Sequence, residues 1–99
     1  MNSSAADVRT PLAVAVTIDD DVLVVTLDDG RLISVPLTWY PRLSHASAQE
    51  RANWRLIGKG EGVHWPDIEE DVRVGSLLAG RASAEAPASL RKWLKSRTG

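Results

Sequence analysis

Three runs rich in valine and isoleucine crowd the first third of the chain, and the connections between them leave little choice of architecture. Ala13 to Ile18 (AVAVTI) and Val22 to Leu27 (VLVVTL) are separated only by Asp19 to Asp21. Branched aliphatic side chains suit a pleated, half-buried surface, so both runs read as strands joined by a short acidic turn. The Asp29-Gly30 pair, flanked by Leu27 and Leu32, is a hairpin signal, because glycine accepts the positive φ of a tight turn. A third strand is therefore predicted over about Arg31 to Val35. Strands connected this closely pair antiparallel. Leu23, Val25 and Leu27 alternate with Val22, Val24 and Thr26, so one face is apolar and the other only partly polar, and the sheet is expected to pack a helix on one side.

Beyond the third strand the punctuation changes. Pro36 lacks the N–H that a sheet ladder needs and is expected to end the strand. Thr38 is a candidate cap for one or two helical turns, with Pro41 in the first turn, where a missing N–H costs little. Ser47 and Glu50 have capping-box spacing, predicting a helix over about Ala48 to Trp54. Arg55 to Ile57 reads equally as a brief strand or the helix end. Gly58, Gly60 and Gly62 mark a loop. The run from Val63 is extended and stopped by Pro66, which biases Trp65 away from helix. Asp67, Glu69, Glu70 and Asp71 then read as a turn plus an acidic helix start, with Asp71 as cap. Val74, Leu77 and Leu78 share one helical face, and Gly80 is a stop signal. The expected organisation is a flexible N-terminus over 1–12, an α+β domain over 13–80, a linker over 81–88 and a basic amphipathic tail over 89–99.

A chain of 99 residues, 43% apolar and 25% charged, has the composition of one ordinary globular domain. It has no cysteine, so disulfides, thiolate metal sites and cysteine nucleophiles are excluded. No apolar run approaches a membrane span, and the N-terminal segment lacks the pattern of a secretory signal, so a cytoplasmic protein without membrane partners is expected. The net charge of −1 conceals a division: residues 1–80 carry seven Lys/Arg against twelve Asp/Glu, whereas residues 81–99 carry five against Glu85 alone. An acidic body with a basic tail suggests an acidic or nucleic-acid partner for the tail, or docking of the tail onto its own body.

The histidine-tryptophan pair His64-Trp65, just ahead of four acids, invites a metal or proton-transfer reading. Zinc needs three or four converging ligands, and the chain offers His45, His64 and carboxylates with no HExxH spacing. Strand alternation instead places one of His64 and Trp65 in the core and the other at the surface. Ser34, Ser44, Ser47 and Ser76 lack a nucleophile elbow, and the GKGEG stretch lacks the ending of a phosphate loop. Neither a catalytic residue, a metal site nor a cofactor is expected, and the chain reads as a non-enzyme. Arg42 is expected to pair with the acids of 67–71, tying helix to strand break, in preference to binding an anion.

The tail carries the main binding signal. Leu90, Trp93 and Leu94 fall at helical spacing, with Arg91, Lys92, Lys95 and Arg97 around them. Such a segment resembles a helix-in-groove ligand with an aromatic anchor, and it is too short to be stable alone. The alternatives are a last helix packed on its own domain, a frayed end, or a nucleic-acid contact.

The stretch DGRLISVPLTWYPRL, followed by SAQERANWRLIGKGEGVHWPDIEEDVRVGSLLAG, resembles the bacterial domain-of-unknown-function family 2442 over about residues 14 to 80. That family shows a DGR hairpin, a PRL element, an A(T/S)xEER helix and a GIHWPxLDEDLSVxGLL segment. The matching positions, Asp29, Gly30, Arg31, Pro41, Arg42, Leu43, His64, Trp65, Asp71, Leu77 and Leu78, read as fold determinants first. Ile68-Glu69-Glu70-Asp71 departs from the usual (I/L)DEDL, and the tail after Arg81 lies outside the pattern. The resemblance implies a small α+β domain, with a curved antiparallel sheet of three to five strands, two or three short helices and a C-terminal helical tail. It also implies no catalytic residues, and a place as the antitoxin-like half of a two-gene module with a small, toxin-like protein partner. A DNA-binding regulator using the tail, a structural module of a larger assembly, and self-association through a sheet edge are the alternatives.

Overall fold

The structure, a computed structural model, describes residues 9–19 and 21–98. The expected flexible N-terminus falls in part on residues 1–8, outside the described residues. Arg9 pairs with Asp28 at 3.3 Å and the Leu12 N–H donates to the same carboxylate at 3.1 Å, so the segment entering the fold is tied to the second hairpin.

The first three strands are β1 (Ala13–Ile18), β2 (Val22–Leu27) and β3 (Leu32–Pro36), an antiparallel meander in the order β1-β2-β3. Asp19 builds the first turn: its Oδ1 accepts from the N–H of Asp21 at 3.0 Å and of Val22 at 2.9 Å. Gly30, at φ 92°, closes the second. As the alternation predicts, Leu23, Val25 and Leu27 are buried while Val22, Val24 and Thr26 are half-buried. The Pro36 break is followed by a 3-10 turn at Leu37–Trp39 and the helix α1 (Pro41–Ser44), whose N-cap is Tyr40. Thr38 therefore caps nothing: it lies inside the 3-10 turn, and Pro41 starts the helix three residues later. The helix α2 (Ala48–Ala52) has the predicted capping box, with the Ser47 N–H donating to Glu50 at 2.8 Å and the Glu50 N–H to Ser47 Oγ at 3.1 Å. It stops before Trp54, because β4 (Arg55–Ile57) claims the next residues.

The strands β4, β5 (Gly62–Trp65) and β6 (Glu70–Arg73) form a second three-stranded antiparallel sheet. The fold is thus α+β as expected, with its strands divided between two sheets. Here the acidic helix start is overturned. Glu70 and Asp71 lie in β6, paired with Trp65 and His64, and the helix α3 (Val74–Leu78) begins after them with Arg73 as N-cap. The reason is a period of two: Ile68, Glu70 and Val72 are buried while Glu69, Asp71 and Arg73 are exposed, and Glu69 turns the chain at φ 52°. On α3, Val74 and Leu77 are buried but Leu78 is 42% exposed, since one turn of helix presents too narrow a stripe to bury all three.

The sheets meet at Gly60. Its carbonyl accepts from the Ala13 N–H at 2.7 Å, and a side chain on it would place Cβ 2.4 Å from the Ala13 carbonyl oxygen. At φ 118° it also has a backbone only glycine adopts without strain. One core joins both sheets, built from Leu23, Val25, Leu43, Val63, Ile68 and the fully buried Trp65, whose indole N–H donates to the Arg51 carbonyl at 3.0 Å. After Gly80 an extended strap leads to the helix α4 (Pro87–Thr98).

Candidate functional site

The predicted binding residues lie on α4, and that helix is seated on the body. Trp93 packs against the buried core and has two guanidinium groups over its ring: Arg97 is 4.5 Å and Arg42 5.0 Å from the centroid. Cation–π contacts of this kind use the negative face of the indole. Arg97 also makes a double contact with Glu50, at 2.8 and 3.0 Å. That arginine and the Ser47 N–H hold the Glu50 carboxyl down at about 2. Glu50 therefore serves the start of α2 and the end of α4 together. Leu90 and Leu94 are half-buried, whereas Arg91, Lys92 and Lys95 stand at the surface beside Leu94.

Arg42 is the hub, with a partner other than the one expected. Its Nε and Nη2 grip Glu85 of the strap, the shortest contact being 2.7 Å, while Nη1 donates to the Ile68 carbonyl at 2.8 Å. It does tie α1 to the strand break, but through a backbone oxygen; the acids of 67–71 form no salt bridge with it. The physical reason is orientation: Glu69, before β6, and Asp71, within it, are exposed, and the strap brings Glu85 to the guanidinium instead. The Arg42 guanidinium lowers the Glu85 carboxyl, and its own affinity for the proton rises in return. Ser89 Oγ adds a bond to Glu85 at 2.9 Å, so the first turn of α4 is tied to the same pair. The strap is further held where the Ser83 N–H donates to the Trp39 carbonyl at 2.9 Å and the Tyr40 hydroxyl to the Arg81 carbonyl at 3.3 Å.

Beneath the strap lies Glu70, a buried carboxyl that sequence reading did not single out. It is 8% exposed, and burial, with Glu85 and Asp71 nearby, pushes it up to about 7 despite the opposing charge of Arg42. It lines an open cavity of about 370 Å³ together with Tyr40, Arg73, Ser76, Arg81 and Ser83. The signal that would have found it is an acid at an inward position of the Ile68, Glu70, Val72 alternation.

His64 and Trp65 divide as strand geometry requires, Trp65 inward and His64 partly exposed. Asp71, directly opposite His64 across the β5–β6 pair, accepts or shares a hydrogen bond with its Nδ1 at 2.5 Å. This pair lies beside Arg55 and Arg73 in a shallow depression on the second sheet. It supplies two donors for a cation, and among the described residues no group of three or more His, Asp or Glu side chains converges on one point.

Residues 13–83 match the family model described as "Protein of unknown function (DUF2442)". The chain belongs to this family. Two solved structures share the fold of this DUF2442 protein. A protein of unknown function from Rhodospirillum rubrum, solved by crystallography, is 25% identical, with a TM-score of 0.68 over 80% of this chain and 98% of that one. An uncharacterized protein from Chromobacterium violaceum, solved by NMR, is 22% identical, with a TM-score of 0.64 over 87% of this chain and 75% of that one. No curated protein matches. The DUF2442 match ends within the strap, so Glu85 and the whole of α4 lie beyond it. No helix among the described residues is long and apolar enough to cross a membrane.

Proposed function

We propose that this DUF2442 protein is a non-enzymatic partner-binding protein of the bacterial cytoplasm, the antitoxin-like member of a toxin–antitoxin pair, and that α4 is its partner-binding segment. The observation that carries this reading is how α4 is held. Its aromatic anchor, Trp93, is clamped by arginines and ion pairs at the edge of the core, contacts that water and a competing partner can replace. The remainder of the helix offers Arg91 and Lys92 outward beside the half-buried Leu94, a basic and partly apolar surface suited to an acidic protein groove. Released from the body, α4 would offer Trp93 as well, and aromatic residues with flanking arginines are the usual anchors of such contacts.

The test is co-purification of the tagged full chain beside Trp93→Ala and the double variant Arg91→Glu, Lys92→Glu, with bound protein and nucleic acid identified separately. The reading expects one small acidic protein retained by the parent chain and lost from both variants. It also expects that protein, expressed alone, to arrest growth and this chain to relieve the arrest. Retention of nucleic acid that weakens steeply with added salt would instead support a DNA-binding regulator. Equal retention by all three chains would remove α4 from the account.

A further inference from the structure

Glu70 stands apart from the α4 clamp and calls for its own explanation. Buried ionisable groups are normally paired, because an uncompensated charge in a poorly solvated site is costly. Yet among the described residues the Glu70 carboxyl accepts no hydrogen bond and joins no salt bridge; the residue as a whole is only 8% exposed, and what its oxygens reach is the solvent of the cavity. The nearby donors are committed elsewhere: the nitrogens of Arg42 face Glu85 and Ile68, and the Tyr40 hydroxyl faces Arg81. What the carboxyl does face is the cavity under the strap, about 370 Å³ and open to solvent. The exposed residues Arg73, Arg81 and Asp71 also line it, so two cations and one anion stand around a single buried anion.

We infer that this cavity is a binding site for a small zwitterion, an amino acid or ω-amino acid, whose ammonium group pairs with Glu70 while its carboxylate meets Arg73 and Arg81. The ammonium supplies the direct ion pair that no arginine makes with Glu70 among the described residues. The two arginines disfavour a bare cation and favour one that carries its own anion. Arg42 and Glu85, paired with each other, act on the Glu70 carboxyl in opposite directions, so neither supplies it with an unopposed charge. Ionisation of Glu70 is required for the pairing, and its carboxyl is pushed up to about 7, so binding strengthens as pH rises through neutrality. This inference does not depend on the partner-binding reading of α4.

The experiment is NMR of the full chain at pH 7.5, following the Glu70 carboxyl carbon and the backbone amides of Ser76, Arg81 and Ser83. The probes are γ-aminobutyrate and its two halves, butylamine and butyrate. Saturable shifts at those positions with γ-aminobutyrate, a downward move of the Glu70 titration, weaker binding of butylamine and none of butyrate are expected. Glu70→Gln should weaken γ-aminobutyrate binding about tenfold or more, since a neutral amide replaces a charge-assisted pair. Ser76→Leu, which narrows the cavity and leaves Glu70 in place, should weaken it as well and decides the matter if Glu70→Gln does not fold. Absence of saturable shifts, butyrate binding as well as γ-aminobutyrate, or undiminished binding in a folded variant would overturn the site.

Discussion

Arg42 and Glu85, separated by 43 residues, meet in a fork-shaped ion pair at 2.7 Å, with only 15% and 12% of their side chains exposed. The same guanidinium lies 5.0 Å from the Trp93 ring. One side chain on a helix of four residues thus fastens the strap, the break after β5 and the C-terminal helix.

Arg42→Ala should therefore release α4 while the two sheets remain folded. The loss should be about 2–4 kcal/mol, because Glu85 is left without its partner in a partly buried position. Hydrogen exchange read separately over 55–73 and 87–98 checks this, with protection lost in the second segment first. Arg42→Lys should not restore it, since an ammonium cannot grip Glu85 and the Ile68 carbonyl in the same fork geometry.

Glu70→Gln should stabilise the protein at pH 8 and leave it unchanged near pH 4. The folded-state carboxyl titrates at about 7, above its ordinary 4.5, so the folded state binds the proton more tightly. Stability contributed by the protonated form is full below pH 4.5 and falls as pH rises to 7. The gain from the amide at pH 8 is on the order of 2 kcal/mol. Denaturant midpoints of parent and variant across pH 4 to 8 measure it; parallel curves would contradict the prediction.

Acid should undock α4 by the opposite sign. Glu50 and Glu85 are both held below the ordinary 4.5, Glu50 at about 2, so their contribution is present above pH 4.5 and is lost as pH falls toward 2. Exchange protection of 87–98 should fade across that interval. Glu50→Gln should weaken the docking already at neutral pH, by removing the charge that faces Arg97.

Gly60→Ala should cost about 2 kcal/mol or more, through a left-handed backbone and the close approach to the Ala13 carbonyl. Thermal unfolding of the variant gives the number, and Gly30→Ala is a useful comparison. Gly30 also has positive φ, but a side chain there would meet nothing within 4 Å, so its cost should be the smaller.

What was legible in the sequence was what short-range chemistry determines. The strands Ala13–Ile18 and Val22–Leu27, the Gly30 turn and the Ser47–Glu50 box rest on neighbours in the chain and are found where they were expected. The β6 strand was hidden because Glu70, an acid, occupies an inward position, and an acidic run before an apolar stretch imitates the start of a helix. The partner of Arg42 was hidden for a different reason: nothing local distinguishes Glu85 from the acids of 67–71, and only the path of the strap selects it. In the tail, helical spacing picks out Leu90, Trp93 and Leu94 with four basic residues around them, and α4 separates these by depth, with Trp93 against the core and Arg91 and Lys92 in solvent.

The two meanders close only short loops, Ile18 facing Leu23 across one turn and Ile57 facing Gly62 across another. The contacts that seat the strap and α4 span 43 residues from Arg42 to Glu85 and 47 from Glu50 to Arg97. Loop closure over such lengths is entropically expensive and is repaid only when both ends already have fixed positions. Seating of the helix is accordingly expected to be the last event of folding and the first reversed by a fluctuation. The chain is a quickly formed platform carrying a slowly committed arm.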